Sequence, residues 1–309
     1  MAPKTGFGRC AIGDASAVPR AAQQSDIFAV MVTEPPYIAV ICTCHDQRNM
    51  VESCMKALFE QVGYSGALRA FVVDDGSTDG TGDALASLNY DITILPGDGT
   101  LFWAAGMEMA ERAALATTPD LVLWLNADTL LDADAMVRLM KQHMDDERAI
   151  VVGATRDPVT GEGTYGGRLR ASSWHPQRFE RLPIRDVVQK ADTFNGNVVL
   201  VPRKAREVVG PIDGLFPHAY ADDDYGLRAG RLGVPMVQVP GTVAACRANG
   251  PGTRVRRGPA AWRAMQSPKG LPFLAQARFL RRHGGPLWPL VLAGQQAALF
   301  LGLRAVNLP

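Results

Sequence analysis

The chain has 309 residues, of which 47% are hydrophobic and 20% are charged, and its net charge is +1. A mean hydropathy near zero, with ordinary glycine and proline contents, excludes a fibrous or disordered protein and indicates a soluble globular one. Five cysteines without paired spacing argue against a disulfide framework and for a reducing compartment. We therefore expect a cytoplasmic location.

Strands and helices alternate along the first half of the sequence, after a leader. Residues 1–34 lack the apolar segment of a secretory signal, and we expect them to be poorly ordered. The hydrophobic periodicity predicts strands at 37–43, 68–73, 91–95 and 121–125, and helices at 49–61, 78–88 and 102–118. Repeated strand–helix units predict an α/β fold in which a mostly parallel, Rossmann-like sheet is flanked by helices.

The second half of the sequence is less regular. Residues 158–167 are rich in glycine and predict a hairpin, and residues 194–203 contain a strand. Residues 222–233 predict a short helix that ends at Gly233.

Three acidic clusters lie at the ends of predicted elements, at residues 74–75, 126–128 and 222–224. Open α/β sheets bind ligands beyond the carboxyl ends of their strands, so we expect the first two clusters to face one crevice. Like charges that share a small space need an offset, and a hard divalent ion on a diphosphate supplies one. The structural alternative for Asp74 and Asp75 is that they cap the next helix, with Gly76 in the turn.

The motifs around these clusters carry a family resemblance. The inverting GT-A-fold glycosyltransferases of family 2 are similar in "VVDDGSTDGT", in Asn126-Ala127-Asp128 and in "DDDYGLRAGRLG". A subset assigned to bacterial surface-polysaccharide assembly, labelled rhamnosyl- or galactosyltransferase-like, resembles the chain in "GDGTLFWAAGM", "TFNGNVVLVPR" and "SPKGLP". The resemblance extends from about Tyr37 into the C-terminal region.

This resemblance implies a fold, a domain organisation and an activity. It implies a GT-A catalytic domain at 35–245, followed at 246–309 by a basic helical C-terminal extension that contacts the acceptor, a membrane or another subunit. The implied enzyme moves a sugar, with inversion, from a nucleotide-diphosphate sugar donor to a hydroxyl of a glycan or lipid-linked glycan. The implied setting is polysaccharide biosynthesis for the cell envelope.

The resemblance also implies roles for single residues. Asp222 matches the general base of the family. Asp128 matches the last residue of its D-x-D motif, which binds a divalent metal ion, Mg²⁺ or Mn²⁺, on the diphosphate. Thr43 and Asp74 would hold the nucleotide base. Asp75 would support the wall of this base-binding site or the ribose. The other residues expected to contact the donor are Asp98, Trp103, Asn126, Asp224, Arg228 and Arg247.

The chain departs from the family pattern at the metal site. Position 126 is Asn where many relatives have Asp, and Cys246 and Arg247 occupy the region where many relatives have a metal-binding His. The ion would then be held mostly by phosphates and Asp128, or Arg247 would do part of its work.

Some of these residues also have structural alternatives. Asp98 could be a turn residue, Trp103 could pack under its helix, and Arg228 could pair with Asp224 instead of a phosphate. The sequence also raises a zinc site at Cys42, Cys44, His45 and Cys54. Because the C-x-C-H spacing matches no common zinc motif, we interpret these cysteines as core thiols.

Charge is distributed unevenly along the chain. All 31 acidic residues lie at or before Asp224, and the remaining residues contain twelve Lys and Arg. A basic face suits nucleic acid, an anionic membrane or a phosphorylated substrate. We recognise no nucleic-acid-binding module, and expect no nucleic-acid partner.

The uncharged stretch within residues 283–304 is marginal as a membrane span and suits an interfacial helix. We therefore expect peripheral association with the inner face of the cytoplasmic membrane. The alternative is a helix that packs on the catalytic domain or on a second subunit, giving a homodimer.

Two rival functions share these features. A glycosyltransferase that acts on polyprenyl phosphate would use a phosphate as its nucleophile, so substitution of Asp222 by Asn would cost it little. A non-catalytic nucleotide-sugar-binding protein is suggested by Asn126 and by the missing His. The motifs encode neither the base and sugar of the donor nor the acceptor and linkage.

Overall fold

A large sheet with helices on its two faces organises the chain. The computed structural model describes residues 35–172, 176–248, 250, 254–268, 270–303 and 306–308. The predicted leader, residues 1–34, lies outside these ranges.

Strands of the described residues form one large sheet and three small ones. In chain order they are β1 (Ile38–Cys44), β2 (Leu68–Asp74), β3 (Ile92–Pro96), β4 (Leu121–Leu125), β5 (Leu130–Leu131), β6 (Ile150–Val152), β7 (Thr155–Arg156), β8 (Gly167–Arg170), β9 (Phe179–Arg181), β10 (Gln189–Lys190), β11 (Thr193–Phe194), β12 (Val198–Pro202), β13 (Met236–Gln238), β14 (Ala244–Ala245), β15 (Arg254–Arg256) and β16 (Val306–Leu308). The large sheet has the order β10-β13-β6-β12-β4-β1-β2-β3.

The large sheet is mostly parallel, as the sequence predicts. Strand β1 pairs in parallel with β2 and with β4, and β2 pairs in parallel with β3. Strand β12 runs antiparallel to its neighbours β4 and β6. The carboxyl ends of β1, β2 and β4 therefore meet at one edge, where the first two acidic clusters lie.

Helices connect these strands and continue after the sheet. They are α1 (Arg48–Phe59), α2 (Thr81–Ser87), α3 (Phe102–Leu115), α4 (Ala135–Asp145), α5 (Arg203–Val209), α6 (Ala221–Arg231), α7 (Gly258–Met265), α8 (Phe273–His283) and α9 (Trp288–Phe300). Helix α2 begins three residues later than the periodicity predicts. Gly80 precedes it with a φ of +82°, and the carboxylate of Asp79 accepts the N–H of Thr81 at 3.0 Å. The acidic segment before α2 is thus used for a loop and a cap.

The core lies between the sheet and α3 on one face. Small and flexible side chains of α3, such as Ala104, Met107 and Ala110, are fully buried against it. Trp124 on β4 is also fully buried, and its ring meets those of Phe194 and Tyr225 edge-on. These aromatic contacts fix the carboxyl end of β4 relative to α6.

The C-terminal helices include one that belongs to the core. Phe279 of α8 is fully buried in the main hydrophobic cluster, and Arg278 and Arg282 bind the carboxylate of Asp213 at 2.9 and 2.6 Å. Part of the basic charge after Asp224 is therefore used within the molecule.

The uncharged stretch within residues 283–304 is not one continuous helix. Helix α8 ends at His283, Gly285 has a φ of +68°, and α9 begins at Trp288 and has 13 residues. Within the described ranges, we find no helix with the length and apolar character needed to cross a membrane.

Helix α3 also buries an acid. Glu111 is 2% exposed, and its Oε2 accepts the backbone N–H of Ile212 at 2.9 Å. Burial raises the pKa of Glu111 to about 7, although that hydrogen bond and the charge of Arg206 oppose the shift. The folded protein therefore binds a proton here that the unfolded chain, with an ordinary Glu pKa near 4.5, releases at lower pH.

Because the folded protein binds this proton at Glu111, we predict that the effect of the Glu111→Gln substitution on stability depends on pH. The stabilisation from protonated Glu111 is complete below about pH 4.5 and is lost as the pH rises through about 7. Gln keeps an acceptor for Ile212 and cannot ionise. Relative to the wild type, the variant should gain about 1–3 kcal/mol in the free energy of unfolding between pH 5 and pH 8.

Urea unfolding at the two pH values measures this difference. Glu108→Gln, on the same helix but partly exposed, is the matched control and should show no such gain. Parallel pH dependences of the wild type and of Glu111→Gln would contradict the assignment.

Candidate active site

Three segments that are far apart in sequence meet at Gly196, between β11 and β12. Asp222, in the first turn of α6, accepts the N–H of Gly196 at 3.2 Å. The indole of Trp103 covers the same glycine, where an added Cβ would lie 2.5 Å from its Cζ2. Nε1 of Trp103 donates to Oδ1 of Asn126 at 2.8 Å. The structure thus brings the predicted residues Asp222, Trp103 and Asn126 together.

Asp75 builds the loop that leads into α3. Its carboxylate is 3% exposed: Oδ1 accepts the N–H groups of Gly99 and Leu101 at 2.8 and 3.3 Å, and Oδ2 accepts that of Phe102 at 2.9 Å. Because both of its oxygens accept these hydrogen bonds, Asp75 holds the loop that forms a wall of the crevice. Direct contact with a ribose is not the role that this geometry gives it.

The backbone is strained where this loop enters the helix. Phe102 has a φ of +55°, in the left-handed region that bulky residues avoid, at a cost of about 1–3 kcal/mol. Tyr220, directly before α6, has a φ of +79°. Phe102 lies directly before the predicted site residue Trp103, and Tyr220 lies two residues before Asp222. The strain therefore coincides with the two helix starts that aim these side chains.

Thr43, Asp74 and Asp98 lie around the carboxyl ends of β1, β2 and β3. Thr43 packs against α3, since a Cβ on Gly106 would lie 2.4 Å from its Oγ1. Oδ1 of the partly buried Asp74 accepts the N–H of Ser77 at 3.1 Å. Asp98 is exposed, and hydrogen bonds from Thr100 lower its pKa. The alternative that Asp98 is a turn residue describes its contacts here, and a donor contact stays a prediction.

Asp128 follows β4 and is partly exposed, next to Cys246. Burial and the charge of Asp128 together raise the pKa of the Cys246 thiol to about 12. The sulfur of Cys246 accepts a hydrogen bond from Nδ2 of Asn197 at 3.5 Å. Arg247 is exposed beside it. Across the residues that the structure describes, no three or more His, Cys, Asp or Glu side chains group as a metal site would require.

The described cysteines are buried and free of disulfides. Burial raises the pKa of the thiols of Cys42, Cys44 and Cys54. The interpretation of these residues as core thiols agrees with their positions.

The three consecutive acids of α6 have different surroundings. The carboxylate of Asp222 is partly exposed, and its Oδ1 accepts the N–H of Asp223 at 2.8 Å. Asp223 is 5% exposed, and Nη1 of Arg168 donates to both of its oxygens at 2.7–2.8 Å. Burial and the charge of Asp222 raise the pKa of Asp223 to about 8, against the effect of Arg168. Asp222 is therefore the member of the set that a ligand can reach.

Asp224 lies in a cage of cationic and imidazole side chains. It has no exposed surface, and it accepts hydrogen bonds from Arg228 at 2.9 Å, from Arg282 at 3.0 Å and from His283 at 2.9 Å. Burial alone would raise the pKa of Asp224. The hydrogen bonds from His283 and Arg282, with the charge of Arg228, lower it to about 2.

These contacts bear on the expected roles of Asp224 and Arg228. The carboxylate of Asp224 is enclosed. Arg228 pairs with it, which is the alternative to a phosphate contact that the sequence left open. The guanidinium of Arg228 donates to that carboxylate and to the carbonyl oxygens of Val209 and Pro211. Both residues position α6, and with it Asp222.

Gly196 and His283 are part of this arrangement, and sequence reasoning assigned neither a role. Gly196 lies inside the motif "TFNGNVVLVPR", so a glycine before a strand was the available signal. His283 offered none, because its partner Asp224 lies 59 residues earlier.

The cage predicts a large loss of stability for Asp224→Asn. An amide removes the negative charge and leaves Arg228, Arg282 and His283 without their common partner. Breaking a buried ion pair on one side costs about 3–5 kcal/mol, so the free energy of unfolding in urea should fall by that amount. Asp145→Asn, at an exposed position, is the control and should change little. Wild-type stability of Asp224→Asn would contradict the assignment.

Comparison with known proteins identifies the family. Residues 39–206 match the glycosyl transferase family 2 model. An N-acetylglucosaminyltransferase of Rhizobium sp. (strain N33) is 29% identical over 149 residues, 45% of this chain but only 29% of that protein. Another, from Bradyrhizobium elkanii, is 27% identical over 133 residues, 42% of this chain and 71% of that protein.

Solved structures share the fold at low identity. A mannosyltransferase from Pyrobaculum calidifontis, in complex with GDP-Man and Mn²⁺, has a TM-score of 0.53 at 19% identity, over 90% of this chain and 75% of that one. GalNAc-T7, with UDP, GalNAc and Mn²⁺, has a TM-score of 0.54 at 12% identity, over 71% of this chain and 45% of that one. With the mostly parallel sheet and the site at its edge, these matches lead to one conclusion. The chain belongs to glycosyl transferase family 2 and has the GT-A fold.

Proposed function

We propose that the protein is an inverting glycosyltransferase that moves a sugar from a nucleotide-diphosphate donor to a hydroxyl of a glycan or lipid-linked glycan, in polysaccharide biosynthesis. The observation that carries this proposal is the position of Asp222. Its partly exposed carboxylate is held by two backbone N–H groups, at the place where Trp103 and Asn126 also meet. A fixed and accessible carboxylate at a crevice is what a general base requires.

The proposed reaction uses one carboxylate, that of Asp222, as its general base. Asp222 takes the proton of the acceptor hydroxyl as the oxygen of that hydroxyl attacks the anomeric carbon of the donor sugar. The bond from that carbon to the diphosphate oxygen breaks on the opposite face, and its electron pair leaves with the nucleotide diphosphate. Proton transfer to such a base contributes about 10²–10⁴-fold to the rate.

The donor would lie along the carboxyl ends of β1, β2 and β4. Thr43 and Asp74 would contact the base, and the loop that Asp75 holds would form the wall beside it. Trp103 and Asn126 would face the sugar and diphosphate, with Arg247 at the phosphates. These assignments are proposals that rest on the shared location of the side chains.

A divalent cation fits one part of this crevice. The partly exposed carboxylate of Asp128 is a hard oxygen donor, and Mg²⁺ or Mn²⁺ binds well through one carboxylate plus substrate phosphates. Cys246 is 2% exposed and does not replace the His of other family members as an open ligand. When bound, the ion would stabilise negative charge on the departing diphosphate.

The sugar, the acceptor and the place of action remain proposals. The rhamnosyl- or galactosyltransferase-like subset is one hypothesis for the donor, and the names of the Rhizobium and Bradyrhizobium relatives suggest N-acetylglucosamine as another. Leu287 and Leu290, which are 62% and 70% exposed, support an anionic membrane as the place where a lipid-linked acceptor is met. A second copy of the chain on these leucines is the alternative.

The test is a panel of nucleotide sugars and acceptors, with the Asp222→Asn variant. The amide cannot take the proton, so the transfer rate should fall by about 10²–10⁴-fold. Donor binding and the melting temperature should stay near wild-type values, and Asp145→Asn should transfer at the wild-type rate. Transfer with the anomeric configuration of the product inverted completes the expected result.

Two outcomes would replace the proposal. Full activity of Asp222→Asn on a phosphate acceptor would indicate the polyprenyl-phosphate reaction. Donor binding by the wild type without transfer to any acceptor in the panel would indicate a nucleotide-sugar-binding protein.

A further inference from the structure

A second cavity lies away from the crevice, at the far end of the helix that carries Asp222. It is open to solvent, has a volume of about 860 Å³, and lies between the end of α6, the strands β10 and β13, and the end of α8. None of its lining residues is a predicted site residue. Since a helix rises about 1.5 Å per residue, Arg231 in this cavity is roughly 13 Å along α6 from Asp222.

The cavity is lined by four cations, Arg170, Lys190, Arg231 and Arg282. Arg282 is committed to the carboxylates of Asp213 and Asp224. For the other three, no carboxylate among the described residues comes within ion-pair distance. Asp192 also lines the cavity, and its carboxylate accepts the backbone N–H of Arg170 at 2.8 Å. Positive charge therefore exceeds negative charge in this open cavity.

Arg231 is held by an uncharged group. Its Nη2 contacts Nδ1 of His283, while Nε2 of His283 lies 2.9 Å from Asp224. His283 can accept from Arg231 only with its proton on Nε2, in the neutral form that donates to Asp224. Burial favours this form by lowering the pKa of His283. Arg231 thus has a directed contact but no counter-charge.

The charges around Arg231 oppose one another. Partial burial lowers the pKa of Arg231, and the positive charges of Arg170 and Arg282 lower it further, although Asp224 acts in the other direction. Clustered cations that are partly removed from water are stabilised by an anion. Guanidinium groups present the fork of donors that matches the oxygens of a phosphate.

The remaining wall of the cavity is apolar. Leu227, Val234 and Met236 line it and are at most 9% exposed. Gly285 also lines it, and the exposed Leu287 and Leu290 follow shortly along the chain. A ligand of this space would combine a phosphate with an apolar part.

We propose that this cavity binds a phosphate or diphosphate ester, through Arg170, Lys190 and Arg231. The ligand is either the headgroup of a membrane lipid or a free phosphorylated compound. The proposal goes beyond the glycosyl transfer reaction, because it concerns binding at a site that transfer does not use.

The test compares two double variants of the full chain by calorimetry with inorganic pyrophosphate. Arg170→Gln with Lys190→Gln removes two exposed cations of the cavity. Arg112→Gln with Lys141→Gln removes two exposed cations elsewhere and is the matched control. Pyrophosphate binding in the donor crevice is common to all three proteins, so the comparison isolates the cavity.

A second arm uses vesicles of phosphatidylcholine with and without phosphatidic acid, which presents a phosphate monoester. Each cation near an anionic surface contributes about fivefold to binding, so the cavity variant should bind about tenfold to thirtyfold more weakly than the control in this arm if the ligand is a lipid. A loss confined to the pyrophosphate arm would also support the phosphate site and would identify a free compound as the ligand.

Equal binding by the two variants in both arms would overturn the proposal, because general surface charge would then explain any attraction. Absence of a pyrophosphate site in the wild type beyond that of the donor crevice, with no preference for phosphatidic acid, would overturn it as well. Sugar transfer is not measured in either arm, so failure of the proposed reaction would leave the result unchanged.

Discussion

The site depends on the three hydrogen bonds that the carboxylate of Asp75 accepts from the loop before α3. Hydrogen bonds to a charged group contribute about 1.5–3 kcal/mol each, and the left-handed backbone of Phe102 costs about 1–3 kcal/mol. The three bonds together outweigh that strain. They hold the first turn of α3 so that Trp103 reaches both Asn126 and Gly196. Asp75, the second of two consecutive acids at the end of β2, therefore builds the wall of the crevice.

The acids of α6 divide the work at the other side of the crevice. Asp224 is enclosed by three side chains and fixes the helix, and Asp223 is paired with Arg168. Asp222, unlike these two buried neighbours, is partly exposed and remains accessible. Because α8 supplies two of the partners of Asp224, Arg282 and His283, the C-terminal region takes part in positioning the base. The same helix α6 then links the active site to the basic cavity at its far end.

The sequence predicts the sheet and the edge that carries the site. Buried apolar runs are unambiguous in β1, β2 and β4, and acidic residues at or just after a strand end locate the crevice. The local uses of acidic residues were not predictable in the same way. Asp79 caps α2 and delays its start, and Asp98 forms a turn, since short-range hydrogen bonds compete with the ligand contacts that the motifs suggest.

Contacts between distant segments were outside the reach of sequence patterns. The enclosure of Asp224 was not predictable because its partners Arg282 and His283 lie 58 and 59 residues away. The basic face was recognisable from composition, but the carboxylates that neutralise part of it were not. The cluster of Arg170, Lys190 and Arg231, of which only Arg231 follows Asp224 in the sequence, becomes apparent only when three elements are brought together in space.

A crystal structure of the protein with a nucleotide-diphosphate sugar and Mn²⁺ tests the central claim most directly. The claim is that the loop held by Asp75 and the first turn of α6 form one donor site. The account predicts a diphosphate beside Asp128 and the anomeric carbon facing Asp222 from the side opposite the diphosphate. A donor bound at another surface, or one that leaves Asp222 remote from the anomeric carbon, would contradict it.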